Sequence, residues 1–198
     1  MKLPANATLL IIDVQVGMHD PSKGPRNNPD AESNLGQILN AWREAGRPLI
    51  HVRHNSIHQT SVFHTSHAGN AIQAFAQPQE GELLIEKSAN CAFVGTDLEE
   101  RLRAAGVDTV VIVGFVTNHC VETTARIAGD LGFNTYVVGD AMAAFDRTGP
   151  DGTVYSGEQI HNVSLASIHD EFATVVTTGD VLATIGDPAI PADQISGN

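Results

Sequence analysis

The sequence predicts an α/β protein of the doubly wound type, a three-layer α/β/α fold with a parallel sheet between two layers of helices. Short apolar runs alternate along the chain with segments of helical periodicity, which is the pattern of parallel strands joined by crossover helices. The apolar runs contain few polar positions, as strands covered on both faces do. The length of 198 residues fits one domain over residues 1–198.

Six apolar runs are the candidate strands. The first is nearly all leucine and isoleucine and ends on the carboxylate of Asp13. Such a run is too short for a core helix and is typical of a fully buried strand. The predicted strands cover residues 8–13, 47–54, 82–86, 109–114, 135–139 and 173–177.

Helices are predicted between these strands, and local signals mark their ends. Gly46, Gly106 and Gly132 follow the first three, where a helix C-terminus favours glycine, and Thr96 precedes the second as an N-cap. The predicted helices cover residues 30–45, 97–105, 118–131 and 154–169, and a short last one starts at residues 179–180. The Pro- and Gly-containing tail, residues 188–198, is expected on the surface.

Two long loops follow the first and second strands, at residues 15–29 and 55–81. Long loops in compact domains are often functional. In open α/β sheets, ligands bind beyond the carboxyl ends of the strands, where the strand order reverses. We therefore expect the functional site at this edge of the sheet.

Composition excludes several classes of partner. The chain has 11 Lys and Arg against 23 Asp and Glu, a formal charge of -12, which argues against nucleic acid as a ligand. No apolar run approaches the roughly 20 residues of a membrane span, and the N-terminus lacks the apolar segment of a signal peptide. Two cysteines, Cys91 and Cys120, make no disulfide framework. We expect a cytoplasmic protein with reduced thiols, bound to neither nucleic acid nor membrane.

Cys120 is a candidate nucleophile because it follows a buried strand at the start of a predicted helix. The positive end of the helix dipole and its unpaired N–H groups favour an anion there. Both effects lower a thiol pKa from about 8.5 toward neutrality. The alternative is a buried core cysteine, which is our prediction for Cys91.

Asp13 and Lys87 are candidate partners of this thiol. Asp13 closes the first strand and could act as a general base, or as an ordinary turn or cap residue. In the common order 3-2-1-4-5 the first and fourth strands are neighbours, so Asp13 and Cys120 would flank the switch point. Lys87 could keep Asp13 ionised and favour the thiolate, or could be a solvated lysine. Strand order alone does not bring Lys87 to the pair, because the third strand lies two places from the first.

Four stretches of the chain resemble motifs of the isochorismatase-like cysteine hydrolases, the superfamily that includes nicotinamidases and related amidases. The first is an apolar strand ending in Asp13 with Gln15 nearby. The second surrounds Lys87, the third surrounds Cys120, and the fourth lies after the fifth strand. In this sequence they read LLIIDVQ (9–15), IEKSANCAF (85–93), GFVTNHCVETTAR (114–126) and VGDAMAAFD (138–146).

The resemblance implies a catalytic triad of Asp13, Lys87 and Cys120 and a six-stranded parallel sheet of order 3-2-1-4-5-6. It also implies a non-proline cis peptide at Phe115–Val116, with the N–H groups of Val116 and Cys120 forming an oxyanion hole. The implied activity is hydrolysis of an amide or imide bond of a small molecule through a thioester. Homo-oligomers are common in this family, and the charged fraction of 17% leaves surface for a subunit interface.

The resemblance is incomplete at the metal motif that nicotinamidases carry after the second strand. Their Asp-x-His motif corresponds here to residues 53–56, with an arginine in place of the Asp ligand. His54 and His58 could ligate Zn²⁺, but a cation beside Arg53 would be repelled, and no acid occurs between Val52 and Gln79. We predict no metal and no cofactor. The loop histidines are instead expected to shape a pocket; they are His51, His54, His58, His64 and His67.

Gln15, His54 and Phe93 are the candidate substrate contacts, with loop packing as the alternative for each. The amide of Gln15 offers donors and acceptors, and Phe93 could supply an apolar wall. Arg26 and Arg53 could bind one carboxylate. His119, next to the nucleophile, is predicted to face away from it, because neighbours on a helix do not share a face, or to contact a second subunit.

Three other functions compete with amide hydrolysis. The first is an isochorismatase-type vinyl ether hydrolase, although that branch can lack the cysteine that is present here. The second is a catalytically idle family member acting as a binding or oligomeric protein. The third is a redox role for the thiol, against which the absence of a C-x-x-C pair argues.

Overall fold

The computed structural model describes residues 2–185 and contains a six-stranded parallel sheet of order β3-β2-β1-β4-β5-β8. The strands are β1 (Thr8–Ile12), β2 (Leu49–His54), β3 (Leu83–Lys87), β4 (Thr109–Phe115), β5 (Asn134–Ala143), β6 (Arg147–Thr148), β7 (Val154–Tyr155) and β8 (Thr174–Val176). The predicted order is confirmed, since β8 is the sixth strand of this sheet. The predicted surface tail, residues 188–198, lies outside the described residues.

Five helices accompany the sheet: α1 (Ala31–Glu44), α2 (Leu98–Ala104), α3 (Glu122–Asp130), α4 (Gly157–Ile168) and α5 (Thr178–Ile185). None of the helices within residues 2–185 combines the length and apolar character needed to span a bilayer. The predicted start of α4 at residue 154 is wrong, because residues 154–155 form a small antiparallel hairpin with β6. The helix begins after Ser156, whose side chain caps it reciprocally with that of Gln159.

The central strands β1 and β4 are buried along their whole length. Along β1, Leu9 and Ile11 pack into the core beneath α1 and α5, whereas Leu10 and Ile12 pack into the core beneath α2, α3 and α4. This alternation follows from the two-residue period of a strand. Helices therefore cover both faces of the sheet, which leaves the carboxyl ends of the strands as the place where polar groups meet.

Gly114 lies where β4 approaches β1 most closely. Its φ is +120°, in the region that favours glycine. A Cβ atom there would lie 2.0 Å from the carbonyl oxygen of Ile12. The residue precedes the turn that carries Cys120 and follows an irregularity in the pairing of β4 with β5. The close approach thus sets the path of the chain into that turn.

Gly114→Ala is expected to lower the free energy of unfolding by about 2–4 kcal/mol, because a backbone atom must move and the φ is unfavourable. Gly36→Ala is the matched control: Gly36 lies inside α1 and its added Cβ would lie 3.5 Å from Phe75, an ordinary contact. That variant should gain about 0.5–1 kcal/mol. Urea unfolding of both variants checks the pair, and equal effects would refute the close-approach argument.

Glu82, just before β3, is the acceptor of a partly buried polar cluster. Nε and Nη2 of Arg43 donate to its two carboxylate oxygens at 2.7 and 2.8 Å, and Nε2 of His51 lies 2.8 Å from Oε2. The hydrogen bonds from Arg43 lower the pKa of Glu82 to about 2, although partial burial opposes them. Burial lowers the pKa of His51. The cluster ties α1 to β2 and β3.

Glu82 should make stability depend on acid pH. Because folding lowers its pKa from 4.5 to about 2, the unfolded chain binds the extra proton between these values. The stabilisation is therefore complete above about pH 4.5 and is lost as the pH falls toward 2. Glu82→Gln should flatten this part of the stability–pH curve, whereas Glu80→Gln, at an exposed neighbour, should not. Parallel curves for both variants would contradict the assignment.

Candidate active site

The structure brings Asp13, Lys87 and Cys120 together at the carboxyl edge of the sheet. Cys120 lies in a π-helical turn, Thr117–Val121, that leads from β4 into α3. Its Sγ, a carboxylate oxygen of Asp13 and a ring nitrogen of His54 all lie within 4.8 Å of one another. Nζ of Lys87 lies 2.7 Å from Oδ2 of Asp13. Three strand ends thus contribute a thiol, a carboxylate and an ammonium to one place.

Lys87 reaches Asp13 from the edge strand β3 across the end of β2. The register pairs Lys87 with His54, the last residue of β2. Nζ contacts Oδ2 of Asp13, Nδ1 of His54 at 3.2 Å and the carbonyl oxygen of Ala89 at 3.2 Å. An ammonium has three donors and no acceptor, so these contacts use all three donors. We infer that Nδ1 of His54 accepts and that its proton is on Nε2.

Asp13 is fully buried and has one carboxylate oxygen still available. Its φ of +51° lies in the left-handed region, which aspartate tolerates better than most residues. Oδ2 accepts from Lys87, whereas Oδ1 has no hydrogen-bond partner among the described residues. Burial raises the pKa of the Asp13 carboxyl, and Lys87 opposes that rise. A raised pKa makes the carboxylate a better proton acceptor, and Oδ1 is the oxygen free to take the proton.

The prediction that the Cys120 thiol has a lowered pKa is wrong. Burial raises the pKa of this thiol, and the Asp13 carboxylate raises it further, while Lys87 acts in the opposite direction. The side chain has little contact with solvent, so the loss of hydration outweighs the helix start. The raised pKa favours the neutral thiol, so Cys120 could act as a nucleophile only after a base had removed its proton. Cys91 is also buried, and burial raises its pKa as well.

A cavity of about 150 Å³ opens on the thiol. Its apolar wall consists of Met18, Phe63, Val116 and Phe145. Its polar lining outside the triad consists of Lys23, His54, Asn90, His119 and Arg147. An apolar cavity of roughly this volume accommodates benzene, so the cavity suits a small molecule.

His54 is the predicted substrate contact that lines this cavity. Gln15 is buried behind it and is fully engaged: its Nε2 donates to the carbonyl oxygens of His54 at 3.0 Å and Asn70 at 2.8 Å. Its Oε1 accepts from the N–H of His54 at 3.0 Å. Phe93 stacks on Phe133, with ring centroids 5.9 Å apart, and does not border the cavity. Gln15 therefore fixes the position of the end of β2 through hydrogen bonds to the backbone, and it does not border the cavity.

The arginines proposed as carboxylate ligands already have partners. Arg26 donates through both terminal nitrogens to Glu32, at 2.7 and 2.5 Å. Arg53 pairs with Glu86. Neither residue borders the cavity. Both guanidinium groups are neutralised within the fold, so neither supplies the site with a free positive charge.

Several cavity residues were not predicted from the sequence; among them are Asn90, Lys23 and Arg147. Sγ of Cys120 lies 3.8 Å from Oδ1 of Asn90, which follows Lys87 by three residues in the same turn, a readable signal. His119 lines the cavity, so the prediction that it faces away is wrong. The two consecutive residues His119 and Cys120 both line the cavity. Lys23 and Arg147 carry no periodic signal, because they lie on a loop and a short hairpin.

A buried hydrogen-bonded chain supports the turn that carries the nucleophile. Oγ1 of Thr117 lies 2.8 Å from Nδ1 of His161, and Nε2 of His161 lies 3.4 Å from Nδ2 of Asn28. Burial lowers the pKa of His161, so the ring is neutral at neutral pH. Nδ2 of Asn28 also donates to the carbonyl oxygens of Gly139 at 3.1 Å and Met142 at 2.8 Å. The chain links the first long loop to the nucleophile turn through α4.

The cavity residues offer one possible set of metal ligands. Within residues 2–185, the trio of Asp13, His54 and Cys120 is the one group of His, Cys, Asp and Glu side chains close enough to share an ion. The ammonium of Lys87 already contacts Asp13 and His54, and the thiol is protonated. These donors therefore do not suit a cation. His64 and His67 bond within their own loop, to Ser66 and the Gln59 carbonyl.

A second, larger depression of about 490 Å³ lies beside the edge strand β3. It is open, and the charged side chains that line it are Glu86, Asp97 and Arg101. Asp97 and Arg101 pair with each other, and Glu86 pairs with Arg53. No cysteine or histidine is among its lining residues.

The chain is similar to proteins of one family over most of its length. The Isochorismatase domain family matches residues 7–180. The chain is 45% identical over 174 residues to the isochorismatase family protein YrdC of Bacillus subtilis, covering 88% of this chain and 93% of that protein. It is 29% identical over 191 residues to maleamate amidohydrolase of Pseudomonas putida, covering 88% and 84%. A crystal structure of an isochorismatase-family protein from Chromobacterium violaceum superposes with a TM-score of 0.91 at 40% identity, covering 94% and 97%.

Proposed function

The chain belongs to the isochorismatase family of hydrolases, and from this premise we propose that it is a cysteine hydrolase that cleaves the C–N bond of a small amide or imide. The observation that carries the proposal is the meeting of Cys120, Asp13 and Lys87 at the base of a small cavity. A relative named as an amidohydrolase, aligned over most of both chains, supports the choice of an amide bond.

The first half of the reaction forms a thioester. The carboxylate of Asp13, held by Lys87, accepts the proton of the Cys120 thiol as the sulfur attacks the substrate carbonyl. Negative charge then develops on the carbonyl oxygen, and we assign the N–H groups of Val116 and Cys120 to stabilise it. Asp13 returns the proton to the nitrogen, the C–N bond breaks, and ammonia or an amine leaves.

The second half releases the acid. Asp13 takes a proton from water, which attacks the thioester carbonyl, and the same proton returns to the departing sulfur. One carboxylate thus acts alternately as base and acid. Its raised pKa makes it a stronger base toward the thiol and toward water. Lys87 holds the carboxylate in position through its 2.7 Å contact with Oδ2.

A panel of small aliphatic and aromatic amides, with ammonia detection, tests the proposal. The enzyme should release ammonia from at least one amide, and the acylated Cys120 peptide should appear by mass spectrometry during turnover. Ammonia release that proceeds without modification of Cys120 would point to direct attack by water. Cleavage of a vinyl ether with no amide hydrolysed would favour isochorismatase-type chemistry. Binding of amides without any turnover would favour the idle binding protein.

The expected homo-oligomer and the cytoplasmic location belong to the same proposal. Large apolar side chains lie exposed away from the cavity, at Ile57, Val94 and Val163, and they offer surface for a subunit contact. Light scattering coupled to gel filtration should give a mass that is a multiple of 21.0 kDa. A monomeric mass at micromolar concentration would count against the oligomer and leave the chemistry untouched.

A further inference from the structure

His161 is a buried histidine that the proposed mechanism leaves unused. It lies on α4, is 5% exposed and does not line the cavity above Cys120. Burial lowers the pKa of its ring, so the ring carries no charge at neutral pH. A buried polar ring costs free energy unless a hydrogen bond satisfies it. The position of that hydrogen bond indicates what the residue does.

The partner of His161 is the first residue of the nucleophile turn, Thr117–Val121. Oγ1 of Thr117 lies 2.8 Å from Nδ1 of the ring, and Thr117 is 1% exposed. A nitrogen of a neutral imidazole either donates or accepts, and a hydroxyl can do both. The hydrogen bond therefore forms with either tautomer of the ring. Among the side-chain hydrogen bonds that this turn makes within residues 2–185, it is the one in which both groups are buried.

Thr117 lies between the two residues whose N–H groups we assign to the oxyanion. It follows Val116 directly and precedes Cys120 by three residues. The carbonyl oxygen of Val116 accepts from the N–H groups of His119 and Val121, at 3.2 and 3.3 Å. The N–H groups on either side of the nucleophile are thus bonded to one carbonyl. Val116 is the N-cap residue of the turn and provides no side-chain cap, so the buried side-chain contact of this segment comes from Thr117.

The helix that carries His161 is fixed at its N-terminus. The N–H of Gly157 donates to Oδ1 of Asp146 at 2.7 Å. A Cβ atom at Gly157 would clash with the carbonyl oxygen of Ala144, so the first turn of α4 packs directly on the backbone that follows β5. His161 lies one turn further along this helix. A hydrogen bond from a fixed helix sets both distance and direction, which apolar packing alone does not.

We propose that His161 is a positioning residue that acts through Thr117. It holds the nucleophile turn so that the N–H groups of Val116 and Cys120 point at the same oxyanion during acyl transfer. The proposal rests on the proposed hydrolysis, because the oxyanion forms only in that chemistry. Removal of one oxyanion-hole donor slows an enzyme by roughly 10²–10³-fold. A small displacement of both donors should therefore slow acyl transfer, whereas removal of the thiol proton by Asp13 should be unaffected.

Two reagents separate stabilisation of the oxyanion from activation of the thiol. With p-nitrophenyl acetate, the sulfur of Cys120 bonds to the acetyl carbon through an oxyanion, p-nitrophenolate leaves, and the thiol proton goes to Asp13. With iodoacetamide, the same sulfur displaces iodide without an oxyanion and loses the same proton. The ratio of the two rate constants therefore cancels the supply of thiolate. The acetylation rate is the single-turnover release of p-nitrophenolate that Cys120→Ala lacks, and the alkylation rate is read on the Cys120 peptide by mass spectrometry.

The acetylation-to-alkylation ratio is expected to fall by about tenfold or more in Thr117→Val and in His161→Leu, because each removes the hydrogen bond that sets the turn. The double variant should fall no further than the single variants, since both act through one contact. His161→Asn should restore most of the ratio, because its amide places a donor and an acceptor near the position of Nδ1. His51→Leu is the matched control: His51 is another buried histidine that does not line the cavity. This control should lower the free energy of unfolding and leave the ratio unchanged.

An unchanged ratio in Thr117→Val, the milder substitution, would overturn the proposal whether or not His161→Leu folds. An equal fall of both rates would also overturn it, because the effect would then lie on the thiol proton. A parent protein that is alkylated but not acetylated at Cys120 would overturn it as well. In amide turnover the variants should lose kcat by about tenfold or more with KM nearly unchanged. If no amide is hydrolysed, the proposed function fails, and the ratio measured with the ester still decides the role of His161.

Discussion

Cys120→Ala is expected to lose amide turnover by at least about 10⁴-fold, as removal of a covalent nucleophile does in other hydrolases. Cys91 cannot replace it, because Cys91 does not border the cavity. A water molecule in the cavity would be a poorer nucleophile, because it is not covalently held next to the substrate carbonyl. The measurement is ammonia release under single-turnover and steady-state conditions, with the best amide from the panel.

The fold should survive this change. Cys120 is nearly buried, and within residues 2–185 its thiol makes one weak hydrogen bond, to Oδ1 of Asn90 at 3.8 Å. The free energy of unfolding should shift by no more than about 1 kcal/mol. Cys91→Ala is the matched control, with the same atom removed from a buried site away from the cavity, and it should keep its activity. Turnover in Cys120→Ala above about one hundredth of that of the parent protein would refute the covalent route.

Breaking the Lys87–Asp13 pair should affect stability as strongly as activity. Both side chains are almost fully buried and are joined at 2.7 Å. Removing one partner of a buried ion pair strands the other, at a cost of about 3–5 kcal/mol. Lys87→Met and Asp13→Asn should each lower the free energy of unfolding by about that amount and abolish turnover. Urea unfolding at fixed pH gives the comparison.

The double variant Asp13→Asn/Lys87→Met measures the interaction free energy of the ion pair apart from the effects of the two single substitutions. It leaves no buried charge, so it should be more stable than the sum of the single effects predicts, by about 1–3 kcal/mol. It should remain inactive, since it lacks the base. Strict additivity of the two single effects would mean that the ion pair contributes little to folding.

The pH dependence of Lys87→Met has a definite sign. Burial already raises the pKa of Asp13, and loss of the lysine removes the main opposing influence. The folded variant therefore binds a proton at a higher pH than the unfolded chain, so its stability falls as the pH rises through the raised pKa of Asp13. Lys87→Met should be closer to the parent protein at pH 5 than at pH 8. A constant difference across that range would contradict the placement of the charge on Asp13.

The fold was predictable because its signals are local. Strands such as Thr8–Ile12 are almost entirely apolar runs, and the glycines that follow several helices can be read directly from the sequence. The hairpin of β6 and β7 was not predictable, since two-residue strands show no periodicity. The start of α4 could have been found from Ser156 and Gln159, whose spacing is that of a capping box.

The site was predictable only in part. The reversal of strand order predicts that Asp13 and Cys120 lie close together. Only the family resemblance predicts that Lys87 lies beside them. The side chain of Lys87 contacts Asp13 because it is long enough to extend across the end of β2. Sequence spacing does not predict this contact. The protonation state of Cys120 was mispredicted, because the helix start is visible in the sequence and the depth of burial is not.

The three residues of the proposed triad lie at the ends of sheet strands, whereas the two other cations that line the cavity lie on chain segments outside the sheet. Asp13 and Cys120 follow the strands β1 and β4 and Lys87 ends β3, whereas Lys23 and Arg147 belong to a loop and a hairpin outside the central sheet. Chain segments outside a sheet tolerate exchange far better than its buried strands do. Replacing residues 16–29 and 146–156 by those of a relative should therefore change the substrate specificity. The positions of Asp13, Lys87 and Cys120 should be unaffected.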